Sequence, residues 1–191
     1  MNTLELARNL HILRRVKNIE LKERSVLGID IRLVRIDDRL VHGQVATVWA
    51  KRLDIQRILV VSDAVTKDNL RKTLLQQAAP PNIKVNVITV AKMIEIYSNR
   101  LFNDVRVILL FTNPTEVADI VKAGIFVPSI NIGAMGYTAG KKMISNTVAV
   151  NKEDLVAFKF LNSIGIELEI RKVITDSKQN LMDVLKKAKV I

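Results

Sequence analysis

Short runs of β-branched and aliphatic residues alternate along the chain with longer segments whose apolar residues recur at helical spacing. A period of two indicates a strand, and recurrence every three to four residues indicates a helix. The pattern predicts strands at 31–36, 57–62, 84–89, 105–111, 129–132, 144–150 and 166–174. It predicts helices at 44–52, 64–79, 90–99, 114–122, 152–162 and 179–188. Because the two kinds alternate, we expect an α/β fold with three α/β/α layers and a mostly parallel sheet of about six or seven strands.

Residues 31–191 are expected to form one domain, with residues 1–30 as an N-terminal extension outside it. In the extension Leu6, Leu10 and Leu13 fall on one face if the segment is helical, but a linker or sequence upstream of the domain remains an alternative. The segment lacks the long apolar core of a signal peptide. No run in the chain approaches the roughly 18 apolar residues of a membrane span, so we expect a protein that does not itself cross the membrane.

Composition limits the possible chemistry. The chain has no cysteine, which excludes disulfides, thiolate metal sites and cysteine nucleophiles. Its two histidines, His11 and His42, have no second ligand at metal-binding spacing, so we expect no metal. His11 is interpreted as a surface residue. The formal net charge of +11 invites a nucleic-acid interpretation, but basic residues are spread along the chain and aromatic residues are only 4% of it.

The turn between the first predicted strand and the first predicted helix concentrates the reactive side chains. Open α/β sheets bind ligands beyond the carboxyl ends of their strands. Gly43 would let the backbone approach a phosphate at the helix start, where amide donors are unpaired. Arg39 can offer a planar fork of donors to phosphate oxygens. His42 would then be a nucleophile beside an anion site.

Two acids in this turn, Asp37 and Asp38, are each candidates for fixing the tautomer of His42. An ordinary Asp38–Arg39 salt bridge beside an unreactive loop histidine is the alternative that the pattern leaves open. Trp49, the one tryptophan, lies on the following predicted helix, where core packing is favoured over stacking on a ligand.

Three further residues follow or end predicted strands, and they are candidates for the same crevice edge as His42: Asp63, Thr112 and Asn113. Asn113 also stands before Pro114, an ordinary signal for the start of a helix, and we favour a capping role for it.

The string DDRLVHGQV at residues 37–45 closely resembles the active-site segment of the IIB subunits of the mannose-type sugar phosphotransferase system. The resemblance continues in the same order through LFTNPTE at 110–116, NIG at 131–133, GKKMIS at 140–145 and LEIRKV at 168–173. It therefore covers about residues 31–191, and several separated segments in one order are hard to obtain by chance.

The resemblance implies that His42 is the phosphorylated residue. With His42 as the carrier, we expect Arg39 to neutralise the phosphate and the amides around Gly43 and Gln44 to hold its oxygens. Asp37 or Asp38 would orient the loop or the imidazole. The implied function is that of a phosphocarrier, which accepts a phosphoryl group from a IIA protein or domain and passes it to a sugar during uptake. The implied membrane partners are IIC and IID subunits, the implied location is cytoplasmic and peripheral to the membrane, and no cofactor is expected.

Two alternatives belong to other functional classes. A hydrolase would use His42 as general base and Arg39 as an oxyanion clamp, but the sequence offers no evident nucleophile or metal for it. A nucleic-acid-binding basic α/β module rests on the net charge alone.

Overall fold

The computed structural model describes residues 28–43, 48–99 and 102–191, so most of the N-terminal extension and residues 44–47 of the first predicted helix lie outside the described residues. The strands are β1 (Asp30–Asp37), β2 (Arg57–Val61), β3 (Lys84–Ile88), β4 (Arg106–Phe111), β5 (Ser129–Ala134), β6 (Lys142–Met143), β7 (Ala149–Val150), β8 (Glu167–Ile170) and β9 (Gln179–Asn180). The helices are α1 (Ala50–Arg52), α2 (Asp63–Lys67), α3 (Asn69–Gln77), α4 (Val90–Tyr97), α5 (Pro114–Lys122), α6 (Lys152–Ser163) and α7 (Leu181–Lys187).

Seven of the strands form one sheet in the order β3-β2-β4-β1-β5-β8-β9. The pairings from β3 through β8 are parallel, and the edge strand β9 runs antiparallel to β8. The remaining two strands, β6 and β7, form a separate antiparallel pair. The mostly parallel sheet of six or seven strands is therefore confirmed.

Alternate residues of the central strands face two separate hydrophobic cores. In β2, Ile58 and Val60 join one core, whereas Leu59 and Val61 join the other. A strand buried on both faces reads as a continuous apolar run, which is why this segment shows no polar alternation. Helices cover the two faces, and the predicted three-layer α/β/α arrangement is confirmed.

The helix predicted at 64–79 is two helices. Asp68 has an extended backbone (φ −97°, ψ 92°), and its side chain accepts a hydrogen bond from the Arg71 amide at the start of α3. An aspartate in this position satisfies an otherwise unpaired amide, so it ends α2 and begins α3. The apolar spacing alone does not reveal this break.

The strand predicted at 144–150 is wrong. The strand found there is Ala149–Val150, which pairs with Lys142–Met143 across a tight turn, and the preceding Val148 forms an isolated bridge with Met135. The Ser145 hydroxyl accepts hydrogen bonds from the Thr147 and Val148 amides, which closes the turn. Serine competes in this way with strand pairing, so local hydrogen bonding overrides the apolar pattern.

The last predicted strand and helix are both shorter than expected. β8 ends at Ile170 rather than at residue 174, and α7 begins at Leu181 rather than at residue 179. Asn180 pairs with Glu169 at the sheet edge and also caps α7 through its side chain. The residues that follow β8 instead turn their carbonyl groups towards β1, as described below.

Strand β1 lies at the middle of the sheet, between β4 and β5. Its carboxyl end therefore opens where neighbouring strands diverge to their own loops, the usual position of a ligand crevice. Among the helices of the described ranges, none is long and apolar enough to cross a membrane.

Candidate active site

The loop that follows β1 is anchored by apolar side chains and leaves its polar ones near the surface. Leu40 has a left-handed backbone (φ +56°), and its amide donates to the Asp37 carbonyl at 2.9 Å. This conformation costs a leucine roughly 1 kcal/mol or more. Complete burial of the Leu40 side chain, together with that of Val41, in the core beside Trp49 offsets the cost.

Asp37 is the hub of the site. Its side chain is fully buried, and it accepts from Arg35 Nη2 at 2.7 Å and from His42 Nε2 at 3.1 Å. Arg39 donates its backbone amide to Asp37 Oδ1 at 3.2 Å and its Nε at 3.3 Å. Burial alone would raise the pKa of Asp37, but the charge of Arg35 and the hydrogen bonds from His42, Arg35 and Arg39 outweigh it and lower the pKa. Asp37 is therefore an anion at neutral pH.

The contact with Asp37 defines the free nitrogen of His42. An ionised carboxylate can only accept, so the proton of the neutral imidazole belongs on Nε2, which faces Asp37 Oδ2. The lone pair then lies on Nδ1. The His42 side chain is 23% exposed, so the ring is held from inside and reachable from outside.

Asp38, the other predicted support, does not contact the imidazole but fixes the loop. Its Oδ2 accepts from the Gly136 amide at 2.6 Å, and its carbonyl accepts from Arg71 Nη2 at 2.8 Å. A Cβ at position 136 would lie 2.6 Å from Asp38 Oδ2, so a glycine is needed for this approach. Of the two acids, Asp37 therefore has the geometry to orient His42.

The predicted phosphate ligands are only partly described. The Arg39 side chain is 47% exposed and reaches the same carboxylate as His42. Gly43 is already helical, and a Cβ built on it would meet no described atom within 4 Å. Gln44 lies outside the described residues.

Behind Asp37 stands a buried cluster that pattern reasoning did not assign to the site. Arg35 is 0% exposed and donates through Nη1 to Asn131 Oδ1 and to the Arg171 carbonyl, and through Nη2 to the Lys172 carbonyl as well as to Asp37. Burial lowers the pKa of Arg35, and the attraction of Asp37 opposes that effect. The available signal was a charged residue near the carboxyl end of the central strand, two positions before Asp37 and therefore on the same face of the sheet.

Trp49 is a core residue, as predicted, and it also belongs to this cluster. Its side chain is 2% exposed, and its ring lies 5.6 Å from the Arg35 guanidinium and 5.0 Å from that of Arg171. Arg171 is paired with Glu169 at 2.9 Å. Aromatic faces attract buried cations, so the indole ring contributes to holding both arginines.

The residues at the ends of β2 and β4 form a different network. Asn113 accepts from the Glu116 amide at 3.0 Å and caps α5, which confirms the capping prediction. Asp63 donates its amide to Glu116 and accepts from the Val90 amide. Burial raises the pKa of Glu116 in this network. No contact recorded for Asp63, Thr112 or Asn113 in the described ranges reaches His42, so their predicted place beside it finds no support.

The chain matches known proteins over the region that contains this site. The sequence profile described as "PTS system sorbose subfamily IIB component" matches residues 31–191. The mannose-specific EIIAB component of Escherichia coli K12 is 52% identical over 157 residues, which are 82% of this chain and 49% of that protein. The chain therefore spans about half the length of this relative. The sorbose-specific EIIB component of Lacticaseibacillus casei is 47% identical over 152 residues, which are 80% of this chain and 93% of that protein.

Solved structures give the same result. The IIBSor domain of the sorbose permease from Klebsiella pneumoniae superposes with a TM-score of 0.81 at 42% identity, and the match covers 83% of this chain and 98% of that one. Almost the whole of the Klebsiella pneumoniae domain therefore has a counterpart in this chain. Sequence profile, relatives and fold agree, and the chain belongs to the sorbose subfamily of IIB components of the sugar phosphotransferase system.

Proposed function

We propose that this protein is a phosphocarrier that accepts a phosphoryl group on His42 from a phosphohistidine of a IIA protein or domain and passes it to a sugar during uptake. The observation that carries the proposal is the placement of His42, whose Nε2 is held by buried Asp37 while the ring remains reachable. The family of the chain supports the reaction class.

The proposed transfer needs a nucleophile and no cofactor. The Nδ1 lone pair of His42 attacks phosphorus as the donor's nitrogen–phosphorus bond breaks, and the bonding electrons return to the donor's imidazole. Phosphorylation places positive charge on the His42 ring, and the Asp37 carboxylate at 3.1 Å stabilises that charge. In the second transfer a sugar hydroxyl attacks phosphorus, loses its proton to a base at the sugar site, and the Nδ1–phosphorus bond breaks.

Arg39 and the start of the following helix are the proposed phosphate ligands. The side chain of Arg39 is half exposed beside His42, so its remaining guanidinium donors can turn towards a phosphoryl group. Backbone groups at Gly43 and Gln44 are proposed to hold other oxygens, because a helix N-terminus favours negative charge.

The proposed partners are a IIA donor and the membrane IIC and IID subunits, with the protein working at the cytoplasmic face of the membrane. The name of the Escherichia coli relative joins an A and a B component in one protein, which supports a IIA donor for this chain. The net charge of +11 would speed encounter with an acidic donor surface. Hydrolysis and nucleic-acid binding are not favoured, since no observation at the site requires either.

Replacement of His42 by alanine is expected to abolish phosphoryl acceptance from a phosphorylated IIA donor while the fold remains intact. A partly exposed loop side chain contributes little packing, so the free energy of unfolding should change by about 1 kcal/mol or less. Mass spectrometry under non-acidic conditions measures the phosphoryl group, and thermal melting measures stability. Matched labelling of the wild type and His42→Ala proteins would remove His42 from the reaction.

Two replacements of Arg39 distinguish the contribution of its positive charge to transfer from that of its planar donor geometry. We expect Arg39→Lys to transfer more slowly than the wild type, and Arg39→Gln more slowly still, because lysine keeps a positive charge but loses the planar fork. The loss in Arg39→Gln should be about tenfold to a thousandfold, equivalent to about 1.4 to 4 kcal/mol of transition-state stabilisation. Single-turnover rates give the comparison, and three equal rates would leave the loop backbone as the phosphate ligand.

Replacement of Asp37 by asparagine is expected to lower the free energy of unfolding by about 3 to 5 kcal/mol at pH 7, because it leaves the buried charge of Arg35 without its partner. The pKa of Asp37 is lower in the folded protein than in the unfolded chain. Its stabilisation is therefore complete above about pH 4 and is lost as the pH falls through the folded value.

Denaturant unfolding at several pH values tests this expectation. The difference between wild type and Asp37→Asn should narrow as the pH falls below about 4. Asp119→Asn is the matched control, since that carboxylate forms an exposed pair with Lys122 on α5. A difference that stays constant down to the lowest pH would show that Asp37 is not ionised in the fold.

A further inference from the structure

The transfer chemistry described above uses Asp37, Arg39 and His42 and gives no part to the buried arginine behind them. Arg35 is fully buried, yet four of its hydrogen bonds go to three separate parts of the fold: the Asp37 carboxylate on β1, Asn131 on β5, and the carbonyls of Arg171 and Lys172 after β8. Fixing a charge so completely is costly, and a merely structural contact between three strands does not require one.

Arg35 and His42 share one oxygen atom. Asp37 Oδ2 lies 2.7 Å from Arg35 Nη2 and 3.1 Å from His42 Nε2. The second oxygen, Oδ1, faces the backbone amide and Nε of Arg39. The carboxylate that orients the imidazole is therefore already neutralised from inside before His42 contributes any charge.

The contact of Arg35 with Asp37 Oδ2 affects which nitrogen of His42 can act as the nucleophile. A buried carboxylate with no other cation would favour the doubly protonated imidazolium as its partner, and an imidazolium has no lone pair for attack on phosphorus. A guanidinium on the same oxygen balances the charge of the carboxylate, so a second proton on the imidazole is no longer favoured. The carboxylate can then hold the Nε2 proton and fix the ring while Nδ1 remains unprotonated.

We propose that Arg35 is a positioning residue, which aims Asp37 at His42 and keeps the imidazole neutral so that Nδ1 can accept the phosphoryl group. The inference rests on the proposed phosphocarrier function and adds a residue and a role to it.

The other charged groups around Arg35 do not take over this role. Arg171 lies 5.0 Å from the Trp49 ring and is paired with Glu169 at 2.9 Å, and Glu169 also lies 3.1 Å from Lys178. Arg39 contacts mainly the other oxygen, Oδ1, and reaches Oδ2 through Nη2 only at 3.5 Å. Its side chain is half exposed, so solvent weakens its interaction with the carboxylate. Arg35 is thus the fully buried cation on the oxygen that His42 uses.

Gly133 offers a way to displace Arg35 without changing its charge. A Cβ at this position would overlap Arg35 Nη2 and Cζ, and it would lie 2.7 Å from Asp37 Oδ2. Gly133 does not have a left-handed backbone, so alanine there is opposed by this overlap and not by its own φ angle. Gly133→Ala therefore pushes the guanidinium from its place while every ionisable group is kept.

The test compares the pH profile of single-turnover phosphoryl acceptance from a phosphorylated IIA donor. Arg35→Met and Gly133→Ala are expected to move the acid limb of the profile upward by about one pH unit, which slows transfer about tenfold on that limb. Arg35→Lys should show a smaller shift than Arg35→Met, because it keeps a positive charge near Asp37. Arg57→Met is the control, since Arg57 bonds Asn86 at the start of β2, away from the carboxyl end of β1.

Imidazole nitrogen NMR of the unphosphorylated wild-type protein provides a second measurement, which can be made even if the variants do not fold. Near pH 8, above the ordinary titration range of an imidazole, it should show the tautomer with the proton on Nε2 of His42, and the opposite tautomer would overturn the proposal. A wild type that accepts no phosphoryl group on His42 would overturn the proposed function and this inference with it. A wild type that accepts it, with Arg35→Met or Gly133→Ala folded and unshifted in profile, would overturn the role of Arg35 alone.

Discussion

The ion pair between Arg35 and Asp37 is the interaction on which the site depends. Both side chains are fully buried, so each would carry a large desolvation cost without the other. The pair is tolerated because the arginine also donates to Asn131 and to two carbonyls, and the carboxylate also accepts from Arg39 and His42. A rigid anion thus lies beneath a partly exposed imidazole.

The parallel sheet makes this arrangement possible. Because β1 lies between β4 and β5, its last residues are surrounded by the ends of other strands, and Arg35 can reach β5 and the segment after β8 without leaving the protein interior. Gly133 leaves room for the guanidinium, and Trp49 covers it. Leu40 and Val41 then anchor the loop that returns His42 to Asp37. Packing and electrostatics act here on the same few residues.

Local sequence was sufficient for the parts of the site that are close together in the chain. The strand, the turn and His42 are contiguous, so period and turn chemistry predicted their arrangement. The partners of Arg35 could not be predicted in this way, because Asn131 is 96 residues away in sequence and the carbonyls of Arg171 and Lys172 are 136 and 137 residues away. The wrong strand at 144–150 and the helix broken at Asp68 share a different cause. The side chains of Ser145 and Asp68 accept hydrogen bonds from nearby backbone amides, and this local bonding overrides a longer apolar pattern.

The central claim is that Asp37 holds His42 through Nε2 and leaves Nδ1 as the phosphoryl acceptor. The most direct measurement is phosphorus and nitrogen NMR on protein labelled with nitrogen-15 in histidine and phosphorylated by a IIA donor. A one-bond coupling between phosphorus and Nδ1 of His42 is the predicted result. A one-bond coupling to Nε2 would contradict the account, because the nitrogen that faces Asp37 would then be the one that carries the phosphoryl group.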